Sequence, residues 1–359
     1  MTYEELLTIE PFGMSQSEKN KLLFETLSLL TKYHIKNCSS YEKMMYAIDF
    51  DSEPMNCVED LPFIPVRLFK ELELLSVPNT EVFKVLTSSG TSGQRVSKIF
   101  LDRETSINQQ KTLTKIVTSI TGSSRMPMII VDCPSVLKNR SMFSARGAGI
   151  IGFSMFAKKS IYALDDDMNL QTDKIISFLE ENQGKRIFLF GFTFMIWQHF
   201  YKALLKSNLH LNLENAILIH GGGWKKLIDS SVSPAEFRRA LKEVCGISKV
   251  FSYYGMVEQT GCIYMECEEG HLHSSVFSDV ITRRGIDFTP CEVGEPGIIQ
   301  VLSMLPNSYP GHSLLTEDEG VILGVDDCPC GRKGKYFDII GRLANAELRG
   351  CSDTYAARF

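Results

Sequence analysis

The sequence predicts an α/β protein: mostly parallel sheets flanked by helices, plus a small β-rich region. Short apolar runs alternate with helix-patterned segments through the middle of the chain, as parallel strands with crossover helices require. Three of those runs end in small-residue turns, at Gly191, at Gly221 to Gly223 and at Gly255. From about Cys291 the pattern changes to EVGEPGIIQVLSML and LTEDEGVILGV, which read as antiparallel ribbons around turns. In open α/β sheets, ligands sit beyond the carboxyl ends of the strands, where the glycine turns gather.

The elements follow in order. SEKNKLLFETLSLLTKYH has apolar residues at helical spacing and anchors an N-terminal helical region, residues 1–60. An α/β core then runs over 61–290. Within it, EVFKVL reads as a strand entering LTSSGTSGQ, and RMPMIIVDC as a buried strand. DKIISFLEENQG reads as a helix with Asp173 as its cap and Gly184 as its stop. KRIFLFGF, NAILIHGGG and SKVFSYYGM read as further strands. Between the last two, SPAEFRRALKEVCG offers Ser233 as N-cap, Pro234 in the first turn, Glu236 to complete a capping box and Gly246 at the end. LFGFTFMIW, Leu189 to Trp197, reads as core, part of it available to line an acyl pocket. A β-rich subdomain, 291–342, and a tail, 343–359, complete the chain.

Composition narrows the partners. The chain has 359 residues, 44% of them hydrophobic, a formal charge of −5 and a pI near 5.9. That balance argues against a nucleic-acid or acidic-membrane surface as the main partner. MTYEELLTIEPFGMSQ carries acidic residues where a signal peptide has basic ones. The most apolar run, Ile187 to Trp197, is far short of the ~20 residues a membrane helix needs. The ten cysteines then read as reduced thiols or metal ligands, and the protein as cytoplasmic.

In LTSSGTSGQ, Leu86 to Gln94, side chains bury little, but hydroxyls and backbone N–H groups can close around a phosphate. GTSGQRVSK does not meet the G-x-x-x-x-G-K-[ST] pattern, and Gly90 with Gly93 alone do not make G-x-G-x-x-G. A polar surface loop is the plain alternative. Later motifs decide between them: HGGGWKK, YYGMVEQ, GEPG, LTEDEG and IIGR follow in order. With SSGTSG, this series resembles the acyl-adenylate-forming enzymes, the superfamily of acyl-CoA synthetases and luciferases. LPFIPVRLFK ahead of the loop, GGGWK after it and the short glycine–cysteine tail resemble more particularly the acyl-protein synthetases, the fatty-acid-activating component of bacterial bioluminescence. MECEEGHLH and CPCGRKGK are similar to the phenylacetate-CoA ligase branch. The resemblance spans roughly Leu61 to Phe359.

The resemblance implies the N-terminal-domain fold of those enzymes and an AMP-forming acid–thiol ligase. A carboxylic acid, in this family a fatty acid, attacks ATP to give an acyl adenylate and pyrophosphate. Positioning and charge neutralisation do most of the work in such a site. Ser88, Ser89, Thr91 and Ser92, with the amides of Gly90 and Gly93, would grip the phosphates. Tyr254, followed by Gly255, would flank the adenine, and Glu258 would bind Mg²⁺; otherwise Tyr254 is strand packing and Glu258 a solvated charge. Gly221, Gly222 and Gly223 would let nucleotide and acyl group approach the backbone. Asp318 matches the ribose-binding aspartate and Arg342 the arginine near ribose and phosphate, although Glu317 stands where glycine is commoner.

Cys267 and His273 are spaced C-x5-H, and Cys328 and Cys330 form C-x-C in a proline–glycine turn. Thiolates and an imidazole on two turns suit a closed structural Zn²⁺ site, with His271 a rival for the histidine position and buried free thiols the alternative. Some phenylacetate-type ligases carry zinc here. Superfamily members normally continue into a lid domain bearing a catalytic lysine; the sequence ends at Phe359, so the reading lacks that lid. Lys225, Lys226 and Lys335 are unranked substitutes. In RGCSDTYAARF, Cys351 falls where acyl-protein synthetases take the acyl group as a thioester before passing it to a partner acyl reductase. Two rival readings are a ligase acylating coenzyme A directly and an inactive, zinc-stabilised assembly protein.

Overall fold

The computed structural model describes residues 1–50, 55–88, 95–122, 124–138, 145–207, 209–224 and 231–343. They form two compact units. The first comprises Met1–Ser88, Arg95–Ile120 and the chain from Gly255 to Leu343; the second comprises Thr121–Tyr254. These units are not consecutive in sequence, unlike the segments 1–60, 61–290 and 291–342. The reason is pairing between distant stretches. Ile64–Pro65 lies parallel to Leu314 and Leu315 of the strand Ser313–Val325. The helix Gln16–Asn37 buries Leu23, Leu27 and Leu30 in one cluster with Phe277, Ile281 and Leu302.

The second unit is a five-stranded parallel sheet in the order Ala157–Tyr162, Met126–Val131, Ile187–Phe192, Ala216–Gly221, Lys249–Tyr254. Alternation along each strand feeds two layers. Ile129, Leu189 and Leu218 join Ile175, Phe178, Phe200, Phe237 and Leu241 of the helices in one core cluster. Phe188 and Phe190 instead meet Phe153, with Phe153 and Phe190 stacked at 4.3 Å. LFGFTFMIW is core, as expected: Ile196 and Trp197 are buried in the first layer and open the π-helical turn Ile196–Tyr201.

Two helix ends depart in detail. The helix Thr172–Glu181 is capped by Gln171, not Asp173. Gln171 donates its N–H to Ala163 O at 2.8 Å, which starts the helix early and leaves Asp173 in the first turn, where its charge still favours the positive helix end. In Pro234–Cys245, Ser233 accepts from Glu236 N and Gly246 closes the end in the left-handed region, but the Glu236 side chain does not complete the box.

The first unit holds an antiparallel sheet in the order Ser278–Arg283, Pro296–Ser303, Ser313–Val325, Lys335–Arg342, Leu272–His273, Tyr264–Glu266. The ribbons expected after Cys291 are its centre. A separate hairpin pairs Lys84–Thr87 with Lys98–Leu101. No helix among the described residues is long and apolar enough to cross a membrane.

Candidate active site

Glu258 lies on the short turn Val257–Gln259, which is held from both sides. The Tyr309 hydroxyl donates to Glu258 O at 2.9 Å and accepts from Gln109 Nε2 at 3.3 Å. Gln259 Nε2 donates to Val301 O at 3.1 Å and to Gly311 O at 2.8 Å. The Glu258 side chain is not a solvated charge: the residue is 6% exposed. Burial pushes its carboxyl above the usual range, and the neighbouring Ser97 hydroxyl works in the opposite direction. Ser97 is fully buried. Its backbone N–H donates to Ser88 Oγ at 2.9 Å, and Ser88 N–H donates to Ser97 O at 3.1 Å. These two serines flank residues 89–94 in sequence. Ser89, Gly90, Thr91, Ser92 and Gly93 themselves lie outside the described residues.

Two adjacent strands carry the next group. Asp318 and Arg342 are register partners. The guanidinium nevertheless pairs most closely with Glu317, Nη2 to Oε2 at 2.8 Å, and stands 3.7 Å from Asp318 Oδ1. Thr316 Oγ1 accepts from Asp318 N at 3.2 Å and donates to Ile299 O at 2.8 Å, fixing the bend in the strand. Glu317, a mere departure from the motif in the sequence, is thus the arginine's partner.

In the second unit the strand Ala216–Gly221 ends at the glycine turn. A Cβ on Gly221 would fall 2.5 Å from the Tyr253 ring, and Gly222 has φ +75°, so both positions require glycine. Thr193 Oγ1 donates to Gly222 O at 2.6 Å and pairs with His220 Nδ1 at 2.9 Å. The hydroxyl's one proton goes to the carbonyl, so His220 carries hydrogen on Nδ1. Burial holds the His220 pKa down at about 3, which keeps the ring neutral. Gly223 is exposed, Tyr254 is half-buried at the end of its strand, and exposed Gly255 begins the other unit.

Cys267, His273, Cys328 and Cys330 converge, their ligand atoms all within 4.8 Å of one another. Cys267 and Cys328 Sγ atoms are 3.9 Å apart, and Cys330 Sγ is 3.5 Å from His273 Nε2. Tetrahedral zinc with bonds of about 2.3 Å to sulfur and about 2.0 Å to nitrogen sets those separations near 3.8 and 3.5 Å. The donor set and its geometry therefore fit Zn²⁺. His271 Nδ1 is 3.4 Å from Cys328 Sγ, so it flanks the cluster. The nine cysteines among the described residues are all free thiols.

Lys335 is engaged in a buried ion-pair cluster. Its Nζ is 3.1 Å from Asp279 and donates to Val280 O at 3.0 Å. Asp279 also pairs with buried Lys19 at 3.1 Å, so Lys335 neutralises a buried charge. Lys225, Lys226 and Cys351 lie outside the described residues. Sequence patterns did not single out Ser97, Thr193, His220 or Tyr309. The first lies just past a motif, and the others act through hydrogen bonds to residues distant in sequence, which leave no periodic signal.

The fold is that of the N-terminal domain of adenylate-forming enzymes. An open conformation of 2-hydroxyisobutyryl-CoA ligase, in complex with 2-HIB-AMP and CoA, matches with a TM-score of 0.67 at 16% identity, covering 94% of this chain and 72% of that one. The family model for acyl-protein synthetase, LuxE, matches residues 3–359, and the chain belongs to that family, an acid ligase of the AMP-forming class. Relatives include the long-chain-fatty-acid–luciferin-component ligase of Vibrio harveyi, 21% identical over 97% of this chain and 91% of that protein. The ligase of the same name from Aliivibrio fischeri is 22% identical over 84% of this chain and 79% of that protein.

Proposed function

We propose that the protein activates a long-chain fatty acid with ATP in the cytoplasm, takes the acyl group on Cys351 as a thioester, and passes it to a partner acyl reductase. In the first half-reaction a carboxylate oxygen attacks the α-phosphorus and the bond to pyrophosphate breaks, leaving the acyl adenylate. In the second the Cys351 thiolate attacks the acyl carbon and AMP leaves. Family membership and the names of the relatives support the acid class.

The observation that carries this reading is a carboxylate kept buried on a locked turn, Glu258. Burying a charge costs stability unless something pairs with it, so its retention points to a cation at work. Mg²⁺ bound there would neutralise phosphate charge. Glu258 would hold it, and Ser88 with residues 89–93 would bind the phosphates. Asp318 would accept from the ribose hydroxyls, with Arg342 beside ribose and phosphate. Gly221 to Gly223 and Tyr254 would border the nucleotide. A structural Zn²⁺ on Cys267, His273, Cys328 and Cys330 would close its turns with no open coordination position.

The test is ATP–pyrophosphate exchange across a panel of carboxylic acids, with hydroxylamine-labile labelling of the protein by radioactive acid. Exchange strongest with long-chain acids, together with a labile label, is the expected result. Exchange with acyl-CoA formation and no label would make the protein a coenzyme A ligase. No exchange with any acid would leave only an assembly role.

A further inference from the structure

Ser97 is completely buried, and its hydroxyl meets no partner at full hydrogen-bond geometry; it lies beside the Glu258 carboxyl, whose charged form it favours. Its backbone is fully used: N–H to Ser88 Oγ and C=O from Ser88 N–H, so the side chain contributes nothing to that clamp. A buried hydroxyl without a full hydrogen bond weakens a fold, since it loses water and gains little. Alanine would serve packing here equally well. The residue pays for something other than stability.

Three features say what. The hydroxyl borders a buried carboxylate on a turn that Tyr309 and Gln259 fix, so the carboxylate's backbone cannot shift. The same residue is clamped to Ser88, at the edge of the hydroxyl-rich stretch. A carboxylate that holds a divalent cation through one oxygen leaves its other oxygen to be oriented by a neighbouring donor. We propose that Ser97 is a positioning residue for the cation: its hydroxyl donates to the free oxygen of Glu258 and aims the other at Mg²⁺ in the nucleotide-bound protein. This rests on the assignment of Glu258 to the cation. It deepens that assignment by coupling the carboxylate to Ser88.

The experiment compares the wild type with Ser97→Ala, Ser97→Thr and Glu258→Gln. Mn²⁺ affinity is read by electron paramagnetic resonance of free Mn²⁺ in the presence of ATP, and melting temperature is read without metal. Ser97→Ala should melt at or above the wild-type temperature yet bind Mn²⁺ roughly 10–100-fold more weakly, the range for loss of a group that orients a metal ligand. Ser97→Thr keeps the hydroxyl and should restore most of the affinity. In the double variant, Ser97→Ala should add no further loss to Glu258→Gln. A lower melting temperature with unchanged Mn²⁺ affinity in Ser97→Ala would make Ser97 structural and overturn the proposal alone. Unchanged Mn²⁺ affinity in Glu258→Gln would overturn the reading beneath it.

Discussion

His34 and His312 stack with ring centroids 5.0 Å apart and planes 25° from parallel, both buried, joining the helix Gln16–Asn37 to the edge of the strand Ser313–Val325. Each ring has its hydrogen bonds arranged for the neutral form. His34 Nε2 lies 3.0 Å from Pro306 O, to which it donates, leaving Nδ1 to accept from the Ser76 hydroxyl at 2.8 Å. His312 Nε2 is 2.9 Å from Thr31 Oγ1, whose own proton goes to Leu27 O.

That pair predicts an acid limb in stability. Burial lowers the His34 pKa from 6.5 to about 4 and that of His312 well below 6.5. A depressed folded-state pKa means the contribution is complete above pH 6.5 and is lost as pH falls towards 4. For His34 the shift corresponds to about 3 kcal/mol. Urea unfolding at pH 7 and pH 4.5 should show this loss, and His312→Phe should reduce it. An equal loss in that variant would mean that the rings do not carry the acid limb.

Glu317 and Arg342 give the second prediction. Both are about one-fifth exposed, so their ion pair is worth roughly 1 kcal/mol or less to the fold. Glu317→Gln should hardly move the melting temperature but raise the KM for ATP several-fold, because Arg342 loses the partner that fixes its fork. Arg342→Lys should not replace arginine, since an ammonium lacks the planar geometry. Wild-type KM in Glu317→Gln would separate this pair from the nucleotide.

Zinc is checked by metal analysis, which should find about one Zn²⁺ per chain. Cys328→Ser should lower both zinc content and melting temperature, and chelation should reproduce the second effect, because metal-binding energy is folding energy. Zinc-free protein with wild-type melting would leave four free ligands and no metal site. His271→Ala should spare the zinc, whereas His273→Ala should not.

Four of the five parallel strands were legible because each is a compact apolar run near glycine punctuation, such as Gly191 after Ile187 to Phe190 and Gly221 after Ala216 to Ile219. The fifth, Ala157–Tyr162, AKKSIY, carries two lysines and shows no such run. The four metal-type ligands were legible because thiols and imidazoles on two turns leave a spacing. The packing units were not, since Ile64 finds Leu314 only through the fold and no local pattern announces a parallel pair that distant. Ser97 was invisible for another reason. Its significance lies in a hydrogen bond it does not make, and a sequence records residue types, not unmet partners.

The last prediction separates the two half-reactions. Adenylation requires phosphate, ribose and cation contacts, and the proposed roles place none of them on Cys351. Cys351→Ser should therefore keep acid-dependent pyrophosphate exchange near the wild-type rate. The second half-reaction needs a nucleophile that is charged near neutral pH. A thiol supplies a thiolate fraction there, whereas a serine hydroxyl without a general base stays protonated and attacks poorly. The variant should thus form and release acyl adenylate but fail to acquire the hydroxylamine-labile label. It should also fail to pass acyl groups to an acyl reductase. Nine other cysteines provide the control, because Cys38, Cys133, Cys245 and Cys262 are buried, Cys291 is half-buried, and Cys267, Cys328 and Cys330 cluster together. Exposed Cys57 is the strongest competitor, so Cys57→Ser should label normally. A labile label that survives in Cys351→Ser and disappears in Cys57→Ser would move the carrier to Cys57 and remove the tail from the mechanism.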